Sequence, residues 1–572
     1  MPADEKAVVL LRRLTQLEER RSTWEVHWQE VADYMRPRKA DITKQRTEGQ
    51  KRTELIFDGT AIHAAEMLSA SLHGMLTNMA TPWFTLRYTD PILEDDDVAK
   101  EWLEAAENTM YQAFQRSNFQ EQVHEMYDDL VCFGTAIMFV EKDPVTSYRF
   151  STRHIAECFL GEDEQGRVDT VFRKFKMSAR AAIAQFGEKI SDRIKREDER
   201  DPYKMVELVH VVLPRDDRDV TKKSKQNKPW ASIYIDSEEK VVLGESGYDE
   251  MPYVVPRWLK ASTETLGFGH SCAMACLADV KMLNKMSEIT IRAAQKQIDP
   301  PLMLPDDGFM LPIRTVPGGL NFYRSGTRDR IEPLNIGANQ PLGLQMEDQR
   351  RQAIRSAFYV DQLILSQNQT MTATEVIQRT EEKMRLLGPV LGRLQAEFLQ
   401  PLIERCFQIL SRARKLPAAP EFMNGFDIEI EYVSPIAKAQ RSGDVQSIVR
   451  MLEMLGPLQS LEPGIIDWID MDGLAKHAIK VLGIPATVVR GGEEVQMMRQ
   501  ERQMQMQMQE QKQDALATAQ AAGQAAPAIK AVQEGMAVPE GEPPPGAEII
   551  PPPGAEIIPP PGAEIIPGPG AA

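Results

Sequence analysis

The strongest constraint on what this chain can become lies between Thr374 and about Arg414, where a helical pattern runs on without a stop. A continuous helix of that length would measure roughly 60 Å. Pro389 and Pro401 sit inside it. Each removes a backbone donor and crowds the preceding turn, so kinks or breaks are predicted there. Directly ahead of it, "LSQNQTMT" begins at Leu365 and is polar and uncharged. The sequence thus sets a floppy loop against its longest rigid element.

The totals narrow the class. A chain of 572 residues suggests about four domain-sized units, or fewer large ones, and 42% hydrophobic residues suffice for a core. A net charge of −17 argues against coating nucleic acid, which needs a basic surface. It does not exclude letting DNA slide past. Cys132, Cys158, Cys272, Cys276 and Cys406 are too scattered for a disulfide framework and predict a reducing compartment. "MPADEKAVVLLRR" lacks a signal-peptide layout, and no uncharged apolar run reaches the roughly 18 residues of a membrane span. A soluble, acidic, cytosolic protein of several parts is expected.

Along the chain, residues 4–36 read as an amphipathic helix ending before Pro37. A second helix starts after "FDGT", capped by Asp58 or Thr60, and runs toward Pro82. "WFTLRY" reads as a strand. Residues 97–133 hold one or two helices with Trp102, Leu103, Met110, Phe114, Val123, Tyr127 and Leu130 inward, and Gly134 leads into the strand "TAIMFVEK". From 145 to 260 the pattern shifts to short strands, "VFRKFK", "MVELVHVV", "ASIYID", "KVVLG" and "YVVPRW", with one helix near 178–187. Helices follow at 270–298 and 341–365, flanking a Pro/Gly-rich excursion at 301–336. After the long helix, "FDIEIEYV" alternates as a strand with Phe426, Ile428, Ile430 and Tyr432 on its buried face. Two helices are expected near 436–456 and 465–482, then a Met/Gln-rich helix former from about 493. "PPPGAEII" repeats at 543–550, 551–558 and 559–566. Three prolines and a glycine per eight residues fit a disordered or polyproline-II tail, not a helix or central strand.

Enzyme chemistry finds no foothold. There is no G-x-x-x-x-G-K-[ST] loop. "LGFGHS" has Gly267 and Gly269 but lacks the third glycine of a dinucleotide fingerprint. His270, Cys272 and Cys276 lack the second ligand pair of structural zinc, so buried helix cysteines are expected. His63 and Glu66 give H-x-x-E without the zincin motif. "EDDD" at 94–97 and "PDD" at 305–307 read as solvated loop acids, and "GESG" at 244–247 is one residue short of a hydrolase elbow. No cofactor or metal is expected.

The order of elements is similar to that of tailed-bacteriophage portal proteins, and more closely to the head-to-tail connectors of podovirus-type phages. "MTATEV" at 371–376, "LGPVLGRLQAEFLQPLIERCFQIL" at 387–410, "LPAAP" at 416–420 and "YVSPIAKAQRSGD" at 432–444 carry the resemblance. Upstream, "RRSTWEVHWQEVADYMRPRK", "LIFDGTAIHAAEMLSASLHGMLTNMATPWFTL" and "LVCFGTAIMFVE" resemble the family's N-terminal part. The likeness spans roughly residues 8–490 in order, leaving out the Met/Gln region and the repeats.

The resemblance implies an α+β portal fold, with mainly helical wing, stem and crown and a small strand-containing wing and clip region. Residues 1–265 would form the wing, 266–300 and 337–365 the stem helices, and 301–336 the clip, including Pro305, Arg314, Pro317, Gly318, Gly319 and Arg324. Ser366, Gln367, Asn368, Gln369, Thr370, Met371 and Thr372 would lie in a tunnel loop at 366–373. Residues 374–433 would return to the wing, 434–490 form the crown, 491–535 a helical extension and 536–572 the disordered tail. The family further implies a homo-oligomeric ring, usually of twelve subunits, at one capsid vertex of the virion. Double-stranded DNA would pass through it during packaging and ejection. Packaging terminase, capsid and scaffolding proteins and tail adaptors would be its partners, with assembly in the host cytoplasm and no membrane role.

An acidic chain repels phosphate, and uncharged Gln, Asn and Thr offer contacts that break easily, which suits a conduit. Two other readings compete: another ring-forming virion adaptor, though such parts are usually much shorter, and a metal-dependent DNA-processing enzyme using the acidic clusters. The repeats lack the periodicity of a packed core. Truncation after Glu534 is therefore expected to leave assembly size unchanged in size-exclusion chromatography, and loss of assembly would make the tail structural.

Overall fold

A computed structural model describes residues 4–47, 49–80, 82–88, 96–219, 221, 224–261, 263–303, 313, 320, 322, 332–333, 340–363, 387–420, 428–431, 450–451, 454, 470–475, 490, 494–509 and 511–512. The fold is α+β, and the chain forms two compact units, Met1–Val489 and Arg490–Ala572. In the second unit residues 494–509 are helical, with Met497, Met504, Met506 and Met508 exposed.

Helix α1 (Glu5–Met35) starts at Asp4, whose carboxylate accepts a hydrogen bond from the Lys6 backbone N–H at 3.0 Å. Its two halves serve different cores. Ala7, Leu10 and Leu14 pack on a five-stranded sheet, while Trp28, Val31, Ala32 and Met35 enter the main cluster. Between them Arg21 is buried and donates to the carbonyls of Ile155, Ala156 and Cys158. Its guanidinium lies 3.7 Å from the centre of the Phe159 ring. Each fully buried large apolar side chain in these clusters contributes about 1.5–3 kcal/mol.

Helix α2 (Thr60–Leu76) has Gly59 at its cap position, and the Asp58 carboxylate accepts from the Thr60 N–H at 2.8 Å. Strand β1 (Thr85–Tyr88) precedes two helices, α3 (Asp97–Arg116) and α4 (Phe119–Phe133). The Asp96 carboxylate caps α3 through the Ala99 N–H. Leu103, Met110, Phe114, Val123, Tyr127 and Leu130 are buried, and Trp102 donates its indole N–H to the Pro417 carbonyl at 3.1 Å.

Two antiparallel sheets follow. Strands β2 (Ile137–Asp143), β3 (Ser147–Arg153), β4 (Cys158–Glu162) and β5 (Val168–Ser178) precede helices α5 (Ala179–Phe186) and α6 (Asp192–Arg200). Strands β6 (Met205–Pro214), β7 (Trp230–Asp236), β8 (Val241–Tyr248) and β9 (Tyr253–Val254) come after them. One sheet has the order β3-β2-β9 and the other is a meander, β4-β5-β6-β7-β8. Strands β3 and β4 and helix α6 are additions to the sequence reading. Helix α6, "DRIKREDER", buries only Ile194 and so has no apolar stripe to betray it.

The chain leaves the strands through a tight crossing. Gly134 closes α4 at φ +73°, and a Cβ there would collide with the Gly269 carbonyl. The Gly269 N–H donates to Thr135 Oγ1 at 2.8 Å. The glycines of "LGFGHS" therefore serve backbone approach and a left-handed turn, Gly267 having φ +65°. Helix α7 (Cys272–Ile298) follows, then the short strands β10 (Leu302–Met303) and β11 (Glu332–Pro333), then α8 (Gln340–Ala357) and α9 (Val360–Leu363). The helix expected at 341–365 is thus interrupted at Phe358 and Tyr359, the latter at φ +58°.

Of the long helix, residues 387–412 are described and helical throughout. Pro389 lies within this stretch. Ahead of Pro401 stands one π-helical turn, Gln395–Leu399, and α10 (Gln400–Arg412) continues from it. The wider turn accommodates the missing donor and the ring clash without ending the helix. Arg405 holds α10 to the strands, donating to the Val140 carbonyl at 2.8 and 3.0 Å. Strand β12 (Ile428–Glu431) then pairs antiparallel with β1, Leu86 opposite Ile430. Among the described residues no helix is long and apolar enough to cross a membrane.

Glu107 of α3 secures β1 by accepting from the Leu86 N–H at 2.6 Å. Burial pushes its carboxyl up to about 7 from the usual 4.5, the nearby Glu104 adding to the effect. With the folded value above the unfolded one, its contribution is full below pH 4.5 and is lost as the pH rises through about 7. Glu107→Gln keeps the acceptor and removes the titration. Its thermal unfolding is expected to lose that slope between pH 5 and 8 and to gain about 1–3 kcal/mol at the alkaline end; an unchanged profile would show that Glu107 ionises freely.

Candidate functional site: a helix pair that leaves the core

The most distinctive assembly in the first unit is the antiparallel pair α7 and α8, with β10 and β11 between them in sequence. Helix α7 is started by Ser271, whose Oγ accepts from the Met274 N–H at 3.0 Å and donates to the Cys132 carbonyl at 2.7 Å. Among its buried residues, Ala273, Cys276, Leu277, Val280, Leu283, Asn284 and Ser287 recur at three- and four-residue steps. Burial stops at Ser287. Beyond it Ile289, Ile291 and Ile298 face solvent, Ile298 at 85% exposure. Among the described side chains helix α8 buries only Glu347 and Ile354, and it exposes Leu344 and Met346.

The pair is held by a polar clamp. Glu347 is 3% exposed and accepts from Thr290 Oγ1 at 2.6 Å, Ser287 Oγ at 3.4 Å and Arg351 Nη2 at 2.9 Å. Arg351 Nε also donates to Asp58 Oδ2 at 2.9 Å. Asn284 Oδ1 accepts from the N–H groups of Phe57 and Asp58 at 2.8 and 3.1 Å. Burial works to raise the Asp58 carboxyl, but Thr60 and Arg351 outweigh it and hold the group below the usual carboxylate range. Further along, Arg350 pairs with Asp279 at 2.8 Å. Three stretches far apart in sequence, the loop before α2 and the two helices, are thereby locked together.

At the far end of the pair, β10 and β11 are joined in register, Leu302 opposite Pro333 and Met303 opposite Glu332. They close the excursion at 304–331. Within it Leu320 and Phe322 are 75% and 68% exposed. Pro305, Arg314, Pro317, Gly318, Gly319 and Arg324 lie outside the described residues, as do Ser366, Gln367, Asn368, Gln369, Thr370, Met371 and Thr372.

Of the candidate metal ligands, Glu94, Asp95, Asp306 and Asp307 lie outside the described residues, and the others have ordinary structural roles. Cys272 and Cys276 are buried in the first turns of α7, and burial pushes the Cys276 thiol up to about 12. His270 Nε2 lies 2.7 Å from Glu264. His63 is well exposed beside Glu66, and Asp96 caps α3. The clamp is almost silent in the sequence. The i, i+4 spacing of Glu347 and Arg351 was its one local signal; Asp58 and Asn284 had none.

The first unit thus combines small antiparallel sheets with an antiparallel helix pair that ends in a strand pair. Residues 8–489 match the family described as bacteriophage head to tail connecting protein. The chain is 34% identical over 509 residues to a probable portal protein of Bordetella phage BPP-1, covering 86% of this chain and 90% of that one. It is 33% identical over 536 residues to a portal protein of Salmonella phage epsilon15, covering 92% and 95%. The chain belongs to the head-to-tail connecting protein family of bacteriophages and is a portal protein of the podovirus type.

The clamp yields a direct test. Arg351→Ala leaves the Glu347 carboxylate buried with hydroxyl partners alone, and is expected to cost about 2–4 kcal/mol in urea unfolding. Adding Glu347→Gln removes the stranded charge and should restore part of that loss. A double variant no more stable than the single one would show that the charge pairing is immaterial.

Proposed function

We propose that the protein assembles into a ring of identical subunits at one capsid vertex, through which double-stranded DNA enters during packaging and leaves during ejection. One observation carries the reading. Apolar side chains stay uncovered along α7, α8 and the excursion between them, Ile289, Ile291, Ile298, Leu302, Met303, Leu320, Phe322, Leu344 and Met346. A soluble single chain rarely leaves so long a run of large apolar groups uncovered, and a neighbouring copy would bury it. Family membership supplies the context. Copies related by rotation form heterologous contacts that close into a ring without further parts.

On this reading residues 1–265 form the wing, α7 and α8 the stem, and 301–336 the clip, where Pro305, Arg314, Pro317, Gly318, Gly319 and Arg324 face the packaging terminase and later the tail adaptors. The polar run Ser366–Thr372 lines the channel, residues 374–433 cross the ring wall and 434–490 form the crown. Twelve subunits are the expected number. The role is structural, without catalysis or cofactor, in a virion part assembled with capsid and scaffolding proteins in the host cytoplasm. Uncharged channel groups touch phosphates without the counterion-release affinity that lysine would bring.

Electron microscopy of the purified chain is expected to show rings with a central hole wide enough for a duplex. Replacing Gln367 and Gln369 by Lys should leave those rings intact but impair packaging, since each subunit would add cations to the passage. A monomer at micromolar concentration would overturn the ring. Normal packaging with freely reactive lysines on the outer surface would overturn the channel assignment.

A further inference from the structure

A cavity of about 320 Å³ lies between the two sheets of the strand region, far from the helix pair in sequence. Its walls follow from strand register. On the meander, Arg173 of β5 pairs with His210 of β6, and His210 with Tyr234 of β7, so these three form one row across the sheet. Alternation puts Phe172, Val211 and Ile233 on the opposite face, against α1. The facing sheet contributes Phe139 and Glu141 from β2, Tyr253 from β9 and Arg153 from the end of β3.

The charge in this cavity is unbalanced. Among the described residues the Arg153 guanidinium has no hydrogen bond and no ion pair, and its Nε is buried without a partner. It lies over the Phe139 ring, 5.6 Å from its centre, and Glu157 and Arg173 act on it at longer range. Arg173 engages Glu157 through Nε at 2.9 Å, and Lys176 also lines the space. Glu141 shares the cavity but is ion-paired to neither arginine among the described residues. His210 adds no charge. It is fully enclosed, with Tyr253 Oη 3.1 Å from Nδ1 and Ser232 Oγ 3.0 Å from Nε2, and burial followed by the two arginines pushes it down to about 3.

Arg153 is partly buried, its Nε is enclosed without a partner, and Glu157 acts on it only at a distance; enclosed polar groups left this way in native proteins usually have an unseen partner. We infer that this cavity binds a small molecule bearing a phosphate or carboxylate group, held by Arg153 and Arg173 between the aromatic walls. Two adjacent guanidiniums present the forked donors that suit such oxyanions. The volume exceeds that of one ion, being on the order of ten water volumes, so the oxyanion would belong to a small organic ligand or be accompanied by water. The strongly acidic chain makes a cationic cavity the more telling. The inference is independent of the ring and its channel.

Thermal unfolding of the full chain at fixed ionic strength, in chloride, inorganic phosphate, citrate or acetate, tests it. Phosphate or citrate should raise the midpoint saturably over chloride, and the anion that acts more strongly separates the tetrahedral from the carboxylate class. Acetate should act weakly. Arg153→Gln should weaken the effect at least roughly tenfold yet be no less stable than the parent in chloride, because the unpaired charge is gone. Equal midpoints in all four salts, or an equal shift in parent and variant, would overturn the site. Should Arg153→Gln fail to fold, calorimetric titration of the parent with phosphate decides: one saturable site supports the inference, and no heat beyond dilution rejects it.

Discussion

The junction around Arg257 is the interaction on which the first unit depends. The side chain is 4% exposed, yet carries a full charge. It donates to both carboxylate oxygens of Glu397 at 2.6 and 3.0 Å, to Glu162, and to the Gly166 carbonyl at 3.0 Å. Lys260 joins the same Glu162 carboxylate. Burial works against the charge, but Glu397 and Glu162 outweigh it and raise the guanidinium above its ordinary value. The three segments tied here are the β4–β5 hairpin, the stretch entering α7 and the π-helical turn before α10. A buried charge of this kind is bearable only if every partner stays in place. The junction therefore fixes the long helix relative to the strands at the point where the chain turns toward the helix pair.

Arrangement around that junction uses two kinds of economy in backbone space. Gly134 and Gly269 let two chain segments touch where any side chain would hold them apart. Helix α1 serves two separate cores with one stripe each. The consequence is a unit well packed at its strand end that becomes steadily less covered along α7. In a protein of the connector family that gradient has a natural meaning, because what a single chain leaves uncovered an assembly can cover.

Much of the framework was legible in the sequence, for physical reasons that differ by element. Helix α1 shows its stripe from Leu10 to Met35. Strands β6 and β7 read as runs of Val and Ile because both faces are covered. Strand β3, "SYRFSTR", hid because Ser147, Arg149 and Ser151 flank its two buried aromatics with polar groups, and α6 hid because it buries one residue. The interruption at Tyr359 needs a positive φ at a residue that does not advertise it. Of the clamp, the Glu347–Arg351 spacing was visible, whereas Asp58 and Asn284 reach it only through the tertiary fold. The cationic cavity was invisible, since Arg153 and Arg173 meet through the stacking of two sheets, and no local pattern records that.

The π-helical turn has a further consequence for the long helix. From Val390 to Leu410 every fourth residue is buried, with no break at the turn: Val390, Leu394, Phe398, Leu402, Cys406 and Leu410. A step of four overshoots a full rotation by about 40°, so five steps would drift by about 200° on an unbroken α-helix. The widened turn takes up about half of that drift. The helix thus behaves as a screw with one slipped thread. Deleting a single residue from Gln395–Leu399 would leave it helical, but would rotate the whole preceding portion by about 100° and draw it in by about 1.5 Å. The phase of everything that enters this helix from the N-terminal side is set by one extra residue beside Pro401.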